Sequence, residues 1–301
     1  MTNRLQWDVL VSAQIPVVTS DLPPGASEMK WSPISSTLIS GKRDAVLVDT
    51  AITVDQNQKL VDWIAHSGKN LTAIYATHGH GDHFFGVNTI QKKFPKARFV
   101  ATSEVIAVMR KQASVPVVES YWKPRFPGQI DSTLLIADEL KDGVLELEGK
   151  QLISVPLGHT DTDSTTCLHV PSIGLAVCGD ALYNDVHLHL GESNADGRKE
   201  WIAALDTIES LKPVAAIAGH KRPGAPDTPD NIEATRKYIR DFDRIASHTK
   251  TAVELYKQML TLYPERINPA VLWNSSIAIK PGEVKFTLLT HPLQRWAPNN
   301  R

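Results

Sequence analysis

Short apolar runs alternate with amphipathic segments along the first third of the chain. Residues 35–40 and 45–49 predict two strands joined by the polar turn 41–44, which is a hairpin signal. Residues 54–66 carry apolar side chains at helical spacing, and the run 71–76 predicts a buried strand. The same alternation continues with a helix at 84–94, a strand at 97–101 and a helix at 103–111. This order is typical of an α/β layered domain, whose functional residues lie in loops that leave the strand ends.

Short strands return in the second half of the chain. They are predicted at 144–147, 151–155, 166–170, 174–178 and 214–218. Helices are predicted at 197–211 and at 233–262, the second with a break near 247–249. Because no repeat or composition shift divides the chain, we predict a single domain over 1–301 with a C-terminal helical extension at 228–301.

The segment 114–138 interrupts this alternation. It combines three prolines with the aromatic side chains of Tyr121, Trp122 and Phe126, which is more aromatic than a solvated linker should be. Two interpretations follow. The rings pack on the domain as a surface excursion, or the segment is a lid that supplies an apolar wall to a pocket.

Composition narrows the class of partner. The chain has 32 basic and 33 acidic side chains and a formal net charge of -1, so neither nucleic acid nor an anionic membrane is an expected partner. A small-molecule substrate is expected, and the oligomeric state is left open, with a homodimer as one option. The two cysteines, Cys167 and Cys178, lie in apolar runs and predict buried, inert thiols. The start of the chain lacks an export signal, and no stretch is apolar enough to span a membrane, so we expect a soluble, cytoplasmic protein.

The densest group of potential ligands directly follows the strand predicted at 71–76. Three imidazoles and a carboxylate fall within six residues, at His78, His80, Asp82 and His83. In extended backbone, residues two apart project to the same side, so His78 and His80 can bind one ion together. The glycines between them permit a tight turn that carries Asp82 and His83 toward a second ion. A metal site is therefore predicted at this turn.

Three further candidates each follow an apolar strand and stand next to a glycine. They are His159, Asp180 and His220. Together with the turn they make five histidines and two aspartates, the number needed to hold two ions a few ångströms apart with a shared carboxylate.

This set resembles the metallo-β-lactamase superfamily. The match is His-x-His-x-Asp-His at 78–83, Gly-His at 158–159, Gly-Asp at 179–180 and Gly-His at 219–220, in the family's order. The resemblance spans about residues 35–220 and implies a four-layered αββα sandwich. It also implies a first ion on His78, His80 and His159, a second on Asp82, His83 and His220, and Asp180 as the bridge. The implied cofactor is two Zn²⁺ per chain, with iron or manganese left open because such ligands suit all three metals.

The chemistry implied by the resemblance is hydrolysis without a protein nucleophile. Two cations that share a water lower its pKa until a bridging hydroxide exists at neutral pH, and they polarise the substrate carbonyl. Asp82 is expected to serve both as a ligand and as a proton carrier to the leaving group. Tyr183 stands three residues after Asp180, where lactonases of this superfamily place a tyrosine that hydrogen-bonds the lactone carbonyl. The alternative is that Tyr183 is a half-buried packing ring.

Three details of the sequence have competing interpretations. Asp49 is either a helix cap or an acceptor that orients the histidine turn. After Gly-His-Thr the family often has proline and then glycine, whereas this chain has Asp-Thr-Asp-Ser at 161–164, and we expect Asp161 and Asp163 to be solvated or capping. The pair His187 and His189 is expected at a pocket rim or on the surface.

The sequence is compatible with three functions. The leading hypothesis is a binuclear metal hydrolase that opens a lactone, lactam or related ester of a small, partly apolar molecule. The second is a thioesterase resembling hydroxyacylglutathione hydrolase, for which Lys221 and Arg222 form the basic cluster nearest the site in sequence. The third is a non-catalytic, metal-stabilised binding or signalling protein.

Overall fold

The strands of the molecule fall into two main sheets, described here for residues 4–281 of a computed structural model. In chain order, the strands are β1 (Gln6–Val11), β2 (Ile15–Val17), β3 (Met29–Trp31), β4 (Ser35–Ser40), β5 (Asp44–Val48), β6 (Asn70–Tyr75), β7 (Arg98–Ala101), β8 (Asp138–Glu139), β9 (Val144–Leu147), β10 (Lys150–Gly158), β11 (Thr165–Val170), β12 (Leu175–Val177), β13 (Tyr183–Asn184), β14 (Ala215–Ile217) and β15 (His220–Lys221). The first sheet has the order β1-β4-β5-β6-β7-β8, and the second has the order β14-β12-β11-β10-β9.

Helices separate many of these strands in the chain. The α-helices are α1 (Val54–His66), α2 (Gly81–Phe84), α3 (Val87–Lys93), α4 (Ser103–Gln112), α5 (Val115–Val117), α6 (Lys123–Arg125), α7 (Ala195–Ser210), α8 (Asp230–His248), α9 (Ala252–Leu262) and α10 (Pro269–Ile279). The helix α1 starts at a capping box, in which the Thr53 side chain and the Gln56 side chain each accept from the other's backbone N–H. The bounds of α1 match the predicted range.

The two sheets face each other across a shared apolar core. Val46 and Tyr75 from the first sheet pack in one cluster with Leu152 and Leu168 from the second. Side chains alternate across a strand, so neighbours such as Leu47 point to the opposite face of the first sheet and pack against helices. The helices α7 to α10 cover the outer face of the second sheet in the same way. The predicted four-layered αββα sandwich is therefore confirmed.

Three regions differ from the sequence predictions. The helix predicted at 84–94 is two helices, α2 and α3, separated at residues 85–86. Strands β1 to β3 and helix α10 were not predicted. The predicted C-terminal extension consists of α8, α9 and α10 as far as it is described, and residues 282–301 lie outside the described residues.

The segment 114–138 begins with short helical turns over 115–125 and continues as turns and irregular chain to the strand β8. The side chains of Tyr121, Trp122 and Phe126 are buried, and the Trp122 and Phe126 rings each lie 5.5 Å from the Trp31 ring. The rings therefore pack on the domain. Tyr121 and Trp122 also form part of the apolar wall of a cavity that Trp31 lines as well.

Two further expectations have structural outcomes. Cys167 and Cys178 are buried free thiols with sulfur atoms 3.5 Å apart, as predicted. Across residues 4–281, every helix is too short or too polar to cross a lipid bilayer.

Candidate metal centre

The predicted histidine turn lies at the carboxyl end of β6 and runs into α2. It packs so closely on its surroundings that only glycine fits between the ligands. A Cβ at Gly79 would lie 2.5 Å from Cβ of Val108, and one at Gly81 would lie 2.6 Å from the Phe85 ring. Close packing therefore holds the turn in place, with His78, His80, Asp82 and His83 all buried.

The second sheet positions Asp180 and His220 beside the histidine turn. Asp180 lies in a 3₁₀ turn, Gly179–Ala181, directly after β12, and His220 begins β15 after β14 ends. Backbone hydrogen bonds join the two halves here, since Thr166 N–H donates to the Thr77 carbonyl at 2.9 Å. Ends of strands from both sheets thus meet at one edge of the sandwich.

Asp180 lies in the middle of the candidate ligands. Its Oδ1 lies 3.2 Å from His83 Nε2, and its Oδ2 lies 3.0 Å from His220 Nε2 and 3.9 Å from His78 Nε2. Asp82 Oδ2 lies 3.6 Å from His220 Nε2 and 3.9 Å from His83 Nε2. Ligand atoms around one tetrahedral zinc ion are separated by roughly 3.3–3.6 Å, so these spacings suit shared cations.

Two sets of side chains can each surround an ion. In each set the potential ligand atoms lie within 4.8 Å of one another. The first set is His78, His80, Asp161 and Asp180, and the second is Asp82, His83 and His220. A further set, Asp49 with His78 and His83, shares its histidines with these two.

Six of the seven predicted ligands come together, and His159 lies apart from these sets. His159 Nδ1 is 2.7 Å from Asp163 Oδ1, and His159 Nε2 is 3.0 Å from Ser193 Oγ. The expectation that Asp161 is solvated or capping is wrong, because its side chain is fully buried and belongs to the first set. Asp163 is exposed, as expected. The binding of His159 to the first ion stays a prediction.

Asp49 orients the histidine turn. Its Oδ1 accepts from Thr77 N–H and its Oδ2 accepts from Thr77 Oγ1–H, both at 2.8 Å. Its Oδ2 also lies 3.0 Å from His83 Nδ1. The cap of α1 is Thr53, so the helix-cap interpretation of Asp49 is wrong and the orienting interpretation is confirmed.

These contacts determine where the imidazole protons lie. A carboxylate and a carbonyl can only accept, so His83 Nδ1–H donates to Asp49, and His220 Nδ1–H donates to the Pro33 carbonyl at 2.8 Å. The Thr77 hydroxyl donates to Asp49 and therefore accepts from His78 Nδ1–H at 3.0 Å. When these rings are neutral, each directs the lone pair of Nε2 at the centre, as metal-binding imidazoles require.

Several buried polar atoms of the centre have no hydrogen-bond partner among residues 4–281. They are Nε2 of His78 and His83, and the oxygens Asp161 Oδ2 and Asp180 Oδ1. Buried polar atoms are normally paired, because an unpaired one costs roughly 1–3 kcal/mol. Their convergence on one place fits the coordination of cations, and the donor set of imidazoles and carboxylates suits zinc, iron or manganese.

The electrostatics of the centre favour bound positive charge. Burial opposes the ionisation of Asp180, yet His220 and His83 hold the pKa of its carboxyl well below the ordinary value. Burial also opposes protonation of His83, yet Asp180, Asp82 and Asp49 raise the pKa of that imidazole well above its usual range. Cations that displace these protons satisfy the same carboxylates.

Tyr183 contacts the predicted bridging residue. Its buried hydroxyl donates to Asp180 Oδ2 at 3.0 Å, and burial together with Asp180 raises the pKa of the phenol well above its usual value. Tyr183 also lines the cavity that Asp82, Asp180 and His220 line.

A cavity with a largely aromatic and aliphatic wall opens beside the centre. Its wall includes Trp31, Tyr121, Trp122, Val271 and Ile277, and Asp82, Asp180 and His220 also line it. The Trp31 indole N–H donates to Asp82 Oδ2 at 2.9 Å. Sequence reasoning missed Trp31 because a single tryptophan about 50 residues before the histidine turn carries no motif.

The two histidines near position 188 have different environments. His189 lines the cavity, as expected for a rim residue. His187 is fully buried in the second sheet's helical layer, where its Nδ1 lies 2.8 Å from the Tyr238 hydroxyl. The expectation of a rim or surface position was wrong for His187.

Comparison with known proteins agrees with this architecture. The chain is 22% identical over 213 residues to a type 2 metallo-β-lactamase of Bacteroides fragilis, covering 70% of this chain and 76% of that one. It is 28% identical over 153 residues to a hydroxyacylglutathione hydrolase of Synechococcus sp. (strain CC9902), covering 47% of this chain and 48% of that one.

Solved structures show the same fold. The chain matches a metallo-β-lactamase family protein of Thermus thermophilus with a TM-score of 0.60 and 21% identity, over 90% of this chain and 91% of that one. It also matches the FIM-1 metallo-β-lactamase of Pseudomonas aeruginosa in its mono-zinc form, with a TM-score of 0.54 and 14% identity, over 80% of this chain and 93% of that one.

The sandwich with a histidine and aspartate centre at its edge defines a class of metal-binding hydrolases. Residues 29–220 match the family model of the metallo-β-lactamase superfamily. The chain belongs to the metallo-β-lactamase superfamily.

Proposed function

We propose that the protein is a binuclear metal-dependent hydrolase that opens a lactone, a lactam or a related ester of a small, partly apolar molecule. The observation that carries the proposal is the convergence of buried ligand atoms from both sheets beside an aromatic cavity. A pair of Zn²⁺ ions per chain is the proposed cofactor, and the donor set also accommodates iron or manganese.

Two divalent cations bound here would lower the pKa of water and polarise a substrate carbonyl. The chain supplies the positioning. His78, His83 and His220 are oriented through their Nδ1–H groups, so their Nε2 atoms need no rearrangement to act as ligands. Preorganisation of this kind lowers the reorganisation that the reaction would otherwise require.

Asp82 is the proposed proton carrier. Its carboxylate lines the cavity, and Oδ2 is held by Trp31 at 2.9 Å. Burial opposes its ionisation, yet His83 and His220 lower the pKa of Asp82, so it is ionised at neutral pH and can accept a proton. Delivery of that proton to the leaving group would complete ring opening.

Tyr183 is proposed to donate a hydrogen bond to the carbonyl oxygen of the substrate. Its hydroxyl donates to Asp180, so this role requires the single phenolic proton to turn from Asp180 toward the substrate. The high pKa of the phenol keeps that proton in place, which is necessary for a hydrogen-bond donor.

The shape of the cavity supports an amphipathic substrate. The Trp31 and Trp122 rings pack 5.5 Å apart on one side, and Ile277 from α10 lies on another. An acyl or alkyl group is the expected occupant of this wall, because burial of apolar surface favours binding by about 25 cal/mol per Å².

A thioesterase of the hydroxyacylglutathione hydrolase type is the second candidate, favoured by the Synechococcus relative. Its predicted basic cluster is poorly suited to the task. Lys221 is buried against Asp227 at 2.5 Å, and Arg222 Nε lies 3.8 Å from Asp185. Lys30 and Arg125 line the cavity instead, so a glutathione carboxylate would have to pair with these residues.

A substrate screen combined with elemental analysis tests both candidates. Purified protein, its metal content known, is assayed side by side against acyl lactones, β-lactams and thioesters of glutathione. Preferred turnover of lactones or lactams supports the leading proposal, and preferred turnover of thioesters supports the second. Metal-loaded protein that hydrolyses none of the three classes would instead favour a binding or signalling role.

A further inference from the structure

We propose that Asp161, and not His159, completes the first cation set together with His78, His80 and Asp180. This proposal rests on the metal-dependent function above and assigns a ligand that departs from the family pattern. It follows from three observations about Asp161 and His159.

The first observation is the placement of Asp161. Its side chain is fully buried, and its Oδ2 lies 3.0 Å from His80 Nδ1 and has no other hydrogen-bond partner among the described residues. Its Oδ1 accepts from Thr160 Oγ1–H at 3.1 Å. One oxygen is therefore held in place while the other faces the ligand set, which is how an outer partner orients a metal-binding carboxylate.

The second observation is that both nitrogens of His159 are engaged elsewhere. Nδ1–H donates to Asp163, and Nε2 is within hydrogen-bond distance of Ser193 Oγ. A neutral imidazole has one lone pair, and in His159 the Ser193 hydroxyl faces the nitrogen that carries it. His159 would have to break both contacts to bind an ion.

The third observation concerns the backbone around His159. The strand β10 has a register shift between Pro156 and Gly158, and Gly158 has a φ of +73°, so the chain turns out of the strand just before His159. The ring then lies over the first turn of α7, where a Cβ at Gly197 would be 2.6 Å from His159 Nε2. The close fit over a glycine explains why the ring lies outside the centre.

The ligand chemistry changes as a result. A set with two imidazoles and two carboxylates is harder than one with three imidazoles and one carboxylate, so it favours manganese and iron relative to zinc. Glu192 Oε1 lies 3.4 Å from His80 Nε2, which adds further negative charge on the opposite edge of that ring.

Metal binding to matched variants tests the assignment directly. Metal-free wild type, Asp161→Ala, Asp161→Asn and His159→Ala are each titrated with Zn²⁺ and with Mn²⁺ by calorimetry, and Co²⁺-loaded samples are compared by visible absorption. We expect Asp161→Ala to lose one equivalent or to bind it more than ~100-fold more weakly, beyond the ~10–100-fold typical of outer partners. His159→Ala should keep two equivalents and the wild-type Co²⁺ spectrum.

Asp161→Asn distinguishes a ligand from a partner of His80. An asparagine oxygen still accepts a hydrogen bond from His80, but a neutral amide is a weak metal ligand, so this variant should also lose the equivalent and change the Co²⁺ spectrum. Near-normal binding by Asp161→Asn would overturn the proposal, as would loss of an equivalent in His159→Ala. Circular dichroism of the metal-free proteins confirms that each variant is folded, and Asp161→Asn replaces Asp161→Ala if the latter fails. Wild type that binds no cation would refute the metal-dependent function itself.

Discussion

The indole N–H of Trp31 donates to Oδ2 of Asp82, joining a short N-terminal strand to the histidine turn of the first sheet. A hydrogen bond to a charged group contributes about 1.5–3 kcal/mol. Trp31 therefore constrains the orientation of the proposed proton carrier, besides forming part of the cavity wall.

Trp31→Phe is expected to lower kcat/KM for the best substrate by about 10-fold, because Asp82 loses its donor while an aromatic ring remains in the wall. Trp122→Phe is the matched control, since the Trp122 indole N–H donates to Gln112 Oε1 at 3.0 Å instead. Steady-state kinetics of both variants show whether the loss comes from the hydrogen bond to Asp82 or from the cavity wall. Equal losses in the two variants would assign the effect to the cavity wall and not to Asp82.

Asp49→Ala should weaken metal binding by roughly 10–100-fold, because His83 loses the acceptor of its Nδ1–H and Thr77 loses two hydrogen bonds. The measurement is a competition titration with a chromogenic chelator. Asp131→Ala serves as the control, since Asp131 also accepts side-chain hydrogen bonds, from Asn88 and Thr89, but outside the centre. Unchanged metal affinity in Asp49→Ala would contradict an orienting role.

Gly219→Ala should displace Asp180. The added Cβ would lie 2.1 Å from Asp180 Oδ1 and 2.6 Å from the Gly179 carbonyl carbon, and the backbone contact leaves little room to relax. A misplacement of about 1 Å in a catalytic constellation can cost ~100-fold in rate, so we expect a loss of that size. Gly191→Ala is the comparison, because its Cβ would lie 3.1 Å from the movable His189 ring and at an ordinary contact distance of 3.6 Å from Ala278 Cβ. Activity and metal content are measured together, and wild-type values in Gly219→Ala would refute the expectation.

Removal of metal should destabilise the fold. Ligands come from both sheets, and an ion that binds only the folded chain at 100 times its Kd adds about 2.7 kcal/mol. At about 2–4 °C per kcal/mol for a chain of this size, chelation should lower Tm by roughly 5–10 °C. Differential scanning calorimetry with and without chelator, followed by metal restoration, gives the test. An unchanged Tm in a sample proven to have lost its metal would contradict the prediction.

His187 should make the stability of the protein depend on pH below neutrality. Burial, with a contribution from Arg266, lowers the pKa of His187 to about 3, so the unfolded chain binds the proton more readily than the folded chain. The contribution of His187 to the free energy of unfolding is fully present above the unfolded pKa of about 6.5. It is lost progressively as pH falls toward 3, on the order of 3–5 kcal/mol in all.

His187→Asn should therefore flatten the loss of stability between pH 6.5 and pH 4. The free energy of unfolding is measured by urea denaturation with excess chelator in every sample, so that proton competition for metal does not contribute. His66→Asn is the control, because it makes the same substitution at an exposed position of α1. A wild-type slope in His187→Asn would show that other groups dominate the dependence.

Much of the fold was predictable because its strands are buried on two sides. Runs such as 71–76 are apolar along most of their length, which marks interior strands. The helix α10 was not predicted as a separate helix because its apolar residues follow no amphipathic period and it comes after a proline-containing segment. The first three strands escaped because they are short or mix polar and apolar residues without strict alternation.

The site was predictable where a motif carries it. All seven predicted ligands stand next to a glycine or in the histidine turn, and the structure brings six of them together. The burial of Asp161 within the first set and the position of His159 outside it were not predictable, because they depend on a bulge in β10 and on the space above Gly197, neither of which leaves a local signal. The contact between Trp31 and Asp82 likewise arises from tertiary packing alone.

The hydrogen bond from Thr166 N–H to the Thr77 carbonyl joins the two sheets beside the candidate metal centre. The first half of the chain and the second half each provide ligands to this centre. A ribosome must therefore extend the polypeptide past position 220 before the full set of side chains exists. In the proposed two-metal enzyme, capture of the second cation would therefore be a late event in the maturation of the protein, and it would report that both sheets have docked.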